Sequence, residues 1–305
     1  MIKRVNYNKL IIHAGYPKTG TTFLQNQILN FDLKYNYMIL KKYDYIFDSI
    51  LYDSENIFKS KKNKISLTIK NFIINNKVNI ISREGLLGPL TDIKRNFLRL
   101  RQLLNKNLKI VFVLVVRKQK DILESFYAED FVKISNKQKE YKSYKKFISN
   151  FCDPDLDQND QAFQIRENLN YYNIYKTIKN IFPQSKIIIF DYEDLFIKNK
   201  LKEKFNTYVF KDEAIKKFNF EYKNEGLKFK KNRFRNSTNI ILFFKQKKIY
   251  KSFIKKILPR SFKNYLRIFL NYLSNYDEIY TDNKSIKFIN KYYEKWNKKI
   301  SKYKK

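Results

Sequence analysis

Very little in this chain can bind a metal ion or form a cross-link. Its 305 residues include one cysteine and one histidine. Cys152 alone excludes an intramolecular disulfide, and with His13 it falls short of the usual Cys/His zinc ligand sets. No metal is therefore expected. A Ser-His-Asp or Cys-His apparatus would have to use His13, which lies at the end of the first apolar stretch. Glycine and proline number only five each, and neither gathers into a linker. Without a linker or a fixed-period repeat, a single domain over 1–305 is expected, with an α/β core over 1–195 and a mostly helical part over 196–305. The longest wholly apolar run, Ile110 to Val116, is far too short to span a bilayer. Residues 1–9 contain no signal-type apolar segment, so a cytoplasmic location is expected.

Acidic residues are scarce as well. There are 29 against 64 basic residues, which leaves a formal charge of +35. Two readings of that charge stay open. The chain is rich in Lys, Asn, Ile, Tyr and Phe, whose codons are A/T-rich, so the lysines can be bias carried on solvated faces. The other reading is attraction to anions: an acidic glycan, anionic lipid headgroups or nucleic acid. The lysines are spread along the chain, and no RRM, KH, helix-turn-helix or zinc-finger pattern occurs. Nucleic acid therefore ranks well below an enzymatic role.

What is present is a phosphate-loop pattern. The apolar Leu10-Ile11-Ile12 runs into Gly15-Tyr16-Pro17-Lys18-Thr19-Gly20-Thr21-Thr22, and a helical pattern starts near Thr21. Amide groups at a helix start point outward unpaired, and the helix dipole favours an anion there. Gly15 and Gly20 let the backbone approach a phosphate, and Thr21 and Thr22 add hydroxyls. In a nucleoside-triphosphatase loop the lysine directly follows the second glycine. Here Lys18 precedes Gly20, and Thr21 takes the usual lysine position.

A second stretch, Leu108 to Arg117, reads as a strand buried on both faces that ends on an arginine. A helical pattern follows from Asp121, with Ser125 eight residues after Arg117. Between the two stretches, Val78 to Ser82 reads as a short strand leading to Glu84. The carboxyl edge of such a strand is where α/β sheets bind ligands.

These stretches resemble the sulfotransferases that use 3′-phosphoadenosine 5′-phosphosulfate, and among them the bacterial, soluble, carbohydrate-modifying kind. The resemblance covers about the first 195 residues. It implies a P-loop-type three-layer α/β fold, with a mainly parallel sheet flanked by helices and a helical C-terminal region. It implies that Lys18 and the amides of Thr19, Gly20, Thr21 and Thr22 hold the 5′-phosphate. Arg117 and Ser125 would grip the 3′-phosphate, as a guanidinium fork and a hydroxyl suit an anion. The family often has proline two residues after the arginine, where this chain has Gln119. The competing reading of Arg117 is an ion pair with Asp121 or Glu124.

Many sulfotransferases place a Glu or His base where Glu84 stands, because the acceptor must lose a proton as it attacks sulfur. Glu84 can equally cap a helix or pair on the surface, and His13 is the lesser candidate for the base. The acceptor expected by analogy is a carbohydrate hydroxyl. The basic segment 226–237, with Lys231, Asn232 and Arg233, is either the family's late closing loop or a plain solvated loop. The two basic amphipathic pieces over 249–273 either pack on the core or lie against an anionic membrane. Asp191-Tyr192-Glu193-Asp194-Leu195 closes the last strand and reads as structural.

The rival enzyme class is a P-loop kinase or nucleotidase, with Asp191 as its candidate magnesium ligand. The rival outside enzymes is a basic polyanion-binding protein.

Overall fold

A computed structural model describes residues 9–29, 35–38, 43–74, 78–127, 143–197, 234–235, 276–277 and 279–304, with the isolated positions 203 and 207. Five parallel strands form its centre: β1 (Lys9–Gly15), β2 (Tyr35–Met38), β3 (Val78–Glu84), β4 (Lys109–Val116) and β5 (Lys186–Asp191). Their order across the sheet is β2-β3-β1-β4-β5. β1 is thus central, and the chain leaves it toward both edges, the arrangement in which a ligand crevice opens at the strands' carboxyl ends. The register pairs Gly15 with Glu84, His13 with Ser82 and Val113, and Val116 with Asp191.

Helices flank the sheet: α1 (Thr21–Leu29), α2 (Asp44–Tyr52), α3 (Glu55–Phe72), α4 (Ile93–Leu103), α5 (119–127), α6 (Tyr144–Phe151), α7 (Gln161–Asn168), α8 (Tyr171–Ile181) and α9 (Asn283–Ser301). This is the flanked parallel α/β architecture expected from the sequence. Residues 10–15 of β1 and 110–116 of β4 are buried throughout, which only a central strand covered on both faces requires.

The helix starts follow local chemistry. Ser54, Asp92, Asp160, Asn170 and Asp282 each accept a backbone N–H of the first turn. One of these caps divides a stretch whose helical period runs on unbroken: the chain forms α7 and α8 with a break at Leu169–Asn170. Asn170 takes extended backbone angles, and its side chain accepts from Asn173 N at 3.2 Å, which opens a new helix. α3 ends at Phe72, and α2 precedes it.

α9 packs along α8. It buries Ile289, Tyr293 and Ile300, while Ile286 and Trp296, at the same helical spacing, stay half-buried. Tyr293 donates to the Arg166 carbonyl at 2.7 Å, and Tyr292 to Glu167 at 2.6 Å. Lys231, Asn232, Arg233 and the amphipathic pieces over 249–273 lie outside the described residues.

Candidate active site

Between β1 and α1 the backbone makes a turn that few residues tolerate. Lys18 has φ +68° and Gly20 φ +75°. The left-handed region suits glycine, so a lysine held there is under local strain. Gly20 is also fixed by space. A Cβ on it would lie 2.7 Å from Leu195 Cδ1, and a Cβ on Gly15 would lie 2.5 Å from Thr21 Oγ1. Both glycines are thus required by close packing, Gly15 against Thr21 and Gly20 against Leu195.

The loop is tied from inside. Thr19 Oγ1 and Thr21 Oγ1 both donate to the Tyr16 carbonyl, at 2.8 and 3.0 Å. The Thr21 hydroxyl, expected as a donor to an anion, is instead spent on closing the turn. Thr22 stands exposed in the first turn of α1. Such a first turn presents amide donors outward. Tyr16 is buried and meets the edge of Tyr171 at 5.6 Å.

Arg117 reaches this loop from the end of β4. Its Nη1 donates to the Lys18 carbonyl at 2.9 Å, and its guanidinium carbon lies 4.4 Å from the Tyr192 ring centre. Its Nε is buried without a hydrogen-bond partner. Tyr171 holds the Arg117 backbone from below, donating to its carbonyl at 2.5 Å. The carboxylates weighed as partners for Arg117 are engaged elsewhere. Lys120 lies 3.0 Å from Glu124 and 3.8 Å from Asp121, and Glu124 also accepts from Thr281.

The structure therefore brings Lys18, Gly20, Thr21 and Arg117 together at one edge of the sheet. Glu84 ends β3 beside Gly15 in the register, and its side chain is exposed. Ser125 lies half-buried on α5, which starts two residues after Arg117.

His13 sits deeper. It is 1% exposed, and its Nδ1 lies 2.7 Å from Ser82 Oγ, which also accepts from Gln25 Nε2 at 3.1 Å. Its Nε2 is buried without a partner. Burial lowers its pKa to about 4, so the ring is neutral near pH 7. His13 thus links β1, β3 and α1 beneath the loop. Asp191, the carboxylate a P-loop kinase reading requires, is paired with Lys304 at 2.6 Å. Among the described residues, no group of three His, Cys, Asp or Glu side chains is placed to hold a metal ion.

Tyr16, Tyr171, Tyr192 and Leu195 are the residues that sequence reasoning missed as parts of the site. The one signal was the acidic Tyr/Glu-Asp-Leu segment, read as support for the sheet edge. It forms a 3-10 turn over Tyr192–Phe196 and also walls the phosphate-type loop.

The donor set is one of anion recognition: a helix N-terminus, a glycine-containing loop, a lysine and a half-buried arginine.

No protein-family model matches the chain, and no curated protein matches it. Among solved structures it is similar to a sulfotransferase from Alicyclobacillus acidocaldarius. The two are 12% identical, with a TM-score of 0.44, over 81% of this chain and 96% of the other.

Proposed function

We propose that this chain is a sulfotransferase that moves a sulfuryl group from 3′-phosphoadenosine 5′-phosphosulfate to an acceptor hydroxyl. The observation that carries this reading is the contact of Arg117 with the strained, lysine-bearing glycine loop. It couples two anion-binding groups on adjacent strands, and the lysine is not where a triphosphatase needs it.

The donor, when bound, supplies an activated sulfuryl group and a phosphate leaving group. Lys18 neutralises charge that grows on the phosphate's bridging oxygen as the S–O bond breaks. The first-turn amides of α1 hold the 5′-phosphate, with the Thr22 hydroxyl beside them. Arg117, with Ser125, orients the 3′-phosphate. Glu84 takes the proton from the acceptor oxygen as the new O–S bond forms. Neutral His13 props the loop and leaves the proton transfer to Glu84.

We take residues 1–305 as one unit, acting in the cytoplasm or at the inner membrane face, on a carbohydrate hydroxyl. No metal enters the reaction.

Titration calorimetry with 3′-phosphoadenosine 5′-phosphate, ATP and AMP tests the reading. The bisphosphate should bind at least about thirtyfold more tightly than either competitor, a gap of about 2 kcal/mol. Equal affinity for all three would end the sulfotransferase reading and return the basic surface to first place.

A further inference from the structure

Four aromatic rings lie in a row where α8, α9 and the residues after α9 meet. Trp296 and Tyr172 have centroids 5.9 Å apart, Tyr172 and Tyr175 6.3 Å, and Tyr175 and Tyr303 4.3 Å, with planes within 26° of parallel. Such contacts would staple α9 to α8. Stapling does not explain the lysines. Lys299 Nζ lies 5.2 Å from the Tyr172 centroid and 5.1 Å from that of Trp296. Lys176 Nζ is 5.7 Å from Tyr172, and Lys295 Nζ is 5.3 Å from Trp296.

Each of these three ammonium groups is held within 5.7 Å of one or both of these ring centroids. Among the described residues none of the three has a carboxylate within 4 Å. The nearby acids are committed: Glu294 to Lys298, Asp191 to Lys304, and Glu167 to the Tyr292 hydroxyl. Lys176 and Lys295 are exposed and Lys299 is half-buried.

This cluster is joined to the candidate site at two points. Asn297, next to Trp296, exchanges two hydrogen bonds with Gln119, at 3.0 and 3.2 Å, and Gln119 lies two residues beyond Arg117. Tyr171, next to Tyr172, holds the Arg117 backbone.

We propose that Lys176, Lys295 and Lys299, held against the Tyr172 and Trp296 rings, form a docking surface for an acidic polysaccharide chain. Carboxylate or sulfate groups spaced along the polymer would meet the ammonium groups in turn. This rests on the transfer reading in taking the polymer as acceptor or product. The lysines are ordered before the ligand arrives, so less side-chain freedom is lost on binding. Nucleic acid suits the surface less well. Sequence-tolerant binding of single strands needs ring faces free for base stacking, and Tyr172, Tyr175 and Trp296 already turn theirs to one another and to lysines.

Trp296 is the single tryptophan of the chain, so its emission reports on this surface alone. The full chain is titrated with polygalacturonate, with dextran of equal length and with oligothymidylate. The comparison variant is Lys176→Gln/Lys295→Gln/Lys299→Gln. An equal-charge control is Lys64→Gln/Lys70→Gln/Lys94→Gln, on exposed positions of α3 and α4. Polygalacturonate should change Trp296 emission and bind about tenfold more weakly to the first variant, with at most about a twofold loss in the control. Dextran should give no change.

Equal losses in both variants would overturn the proposal, because diffuse charge would then suffice. Unchanged emission, or oligothymidylate binding as tightly as polygalacturonate, would overturn it too. A parallel titration with 3′-phosphoadenosine 5′-phosphate separates the two readings. Its failure in the wild type would sink the transfer reading while leaving the polysaccharide result standing.

Discussion

Arg117 donates a hydrogen bond to the backbone carbonyl of Lys18 across 2.9 Å, tying the end of β4 to the loop that follows β1. The two residues are 99 positions apart, and the bond fixes the loop at its most strained residue. On the proposed reading Arg117 both shapes the loop and meets an anion, so changing it should weaken nucleotide binding. Arg117→Ala should lower affinity for 3′-phosphoadenosine 5′-phosphate by about a hundredfold. Arg117→Lys keeps the charge but loses the planar fork, and should lower it by about tenfold. Calorimetry on the three proteins checks the order, and equal losses for Lys and Ala would contradict the fork.

Lys18 occupies a backbone conformation that glycine adopts freely. Lys18→Gly should therefore raise stability, by a net of about 0.5–1 kcal/mol after glycine's own entropy loss. The same change should abolish transfer, because the ammonium group is gone. Urea unfolding and a transfer assay measured together would show a more stable and inactive protein. A less stable variant would mean that the Lys18 side chain itself supports the fold.

Gly20→Ala combines a strained φ with overlap against Leu195. Its expected cost is about 2–3 kcal/mol. Making room with Leu195→Ala should recover the steric part and leave the backbone part. A double-mutant cycle in urea should then show a coupling of about 1 kcal/mol. Strict additivity would place the whole cost in the backbone.

The pKa of His13 is lowered to about 4 by burial, below its ordinary 6.5. Above pH 6.5 the ring is neutral in both states, and nothing is lost. As pH falls from 6.5 toward 4, the unfolded chain takes up a proton that the folded one refuses, so stability is lost in that window. Between pH 7 and pH 5 the loss from this group should be about 2 kcal/mol. His13→Gln should flatten that part of the profile, read as the difference between wild type and variant in urea unfolding at both pH values. Identical slopes would show that His13 takes up its proton as readily in the folded state as in the unfolded one.

Glu84 should separate chemistry from donor binding. Glu84→Gln is expected to lower kcat by about a hundredfold or more, with unchanged affinity for the bisphosphate nucleotide. A loss of nucleotide affinity instead would make Glu84 a structural part of the loop edge.

The central strands were legible because burial on both faces demands uninterrupted apolar residues, as in Ile110 to Val116. The phosphate-type loop was legible because its glycines and lysine are contiguous. The break between α7 and α8 was not, since the helical period runs through Leu169 and only the capping of Asn173 by Asn170 interrupts it. The inward turn of Thr21 was hidden because a threonine hydroxyl at a helix start can face either way. The wall formed by Tyr192 and Leu195 was hidden for another reason: it meets Gly20 more than 170 residues away, and no local pattern encodes that meeting.

α9 has a consequence for how the protein comes off the ribosome. Tyr293 and Ile289 are buried against elements made more than a hundred residues earlier, and Asn297 closes on Gln119. A nascent chain that has emerged only through β5 already holds every strand of the sheet and every residue assigned to the nucleotide. It still has an open apolar trough beside α8. Until translation delivers α9, that half-built molecule is a natural client for a chaperone, and a stop codon before residue 283 would leave it one permanently.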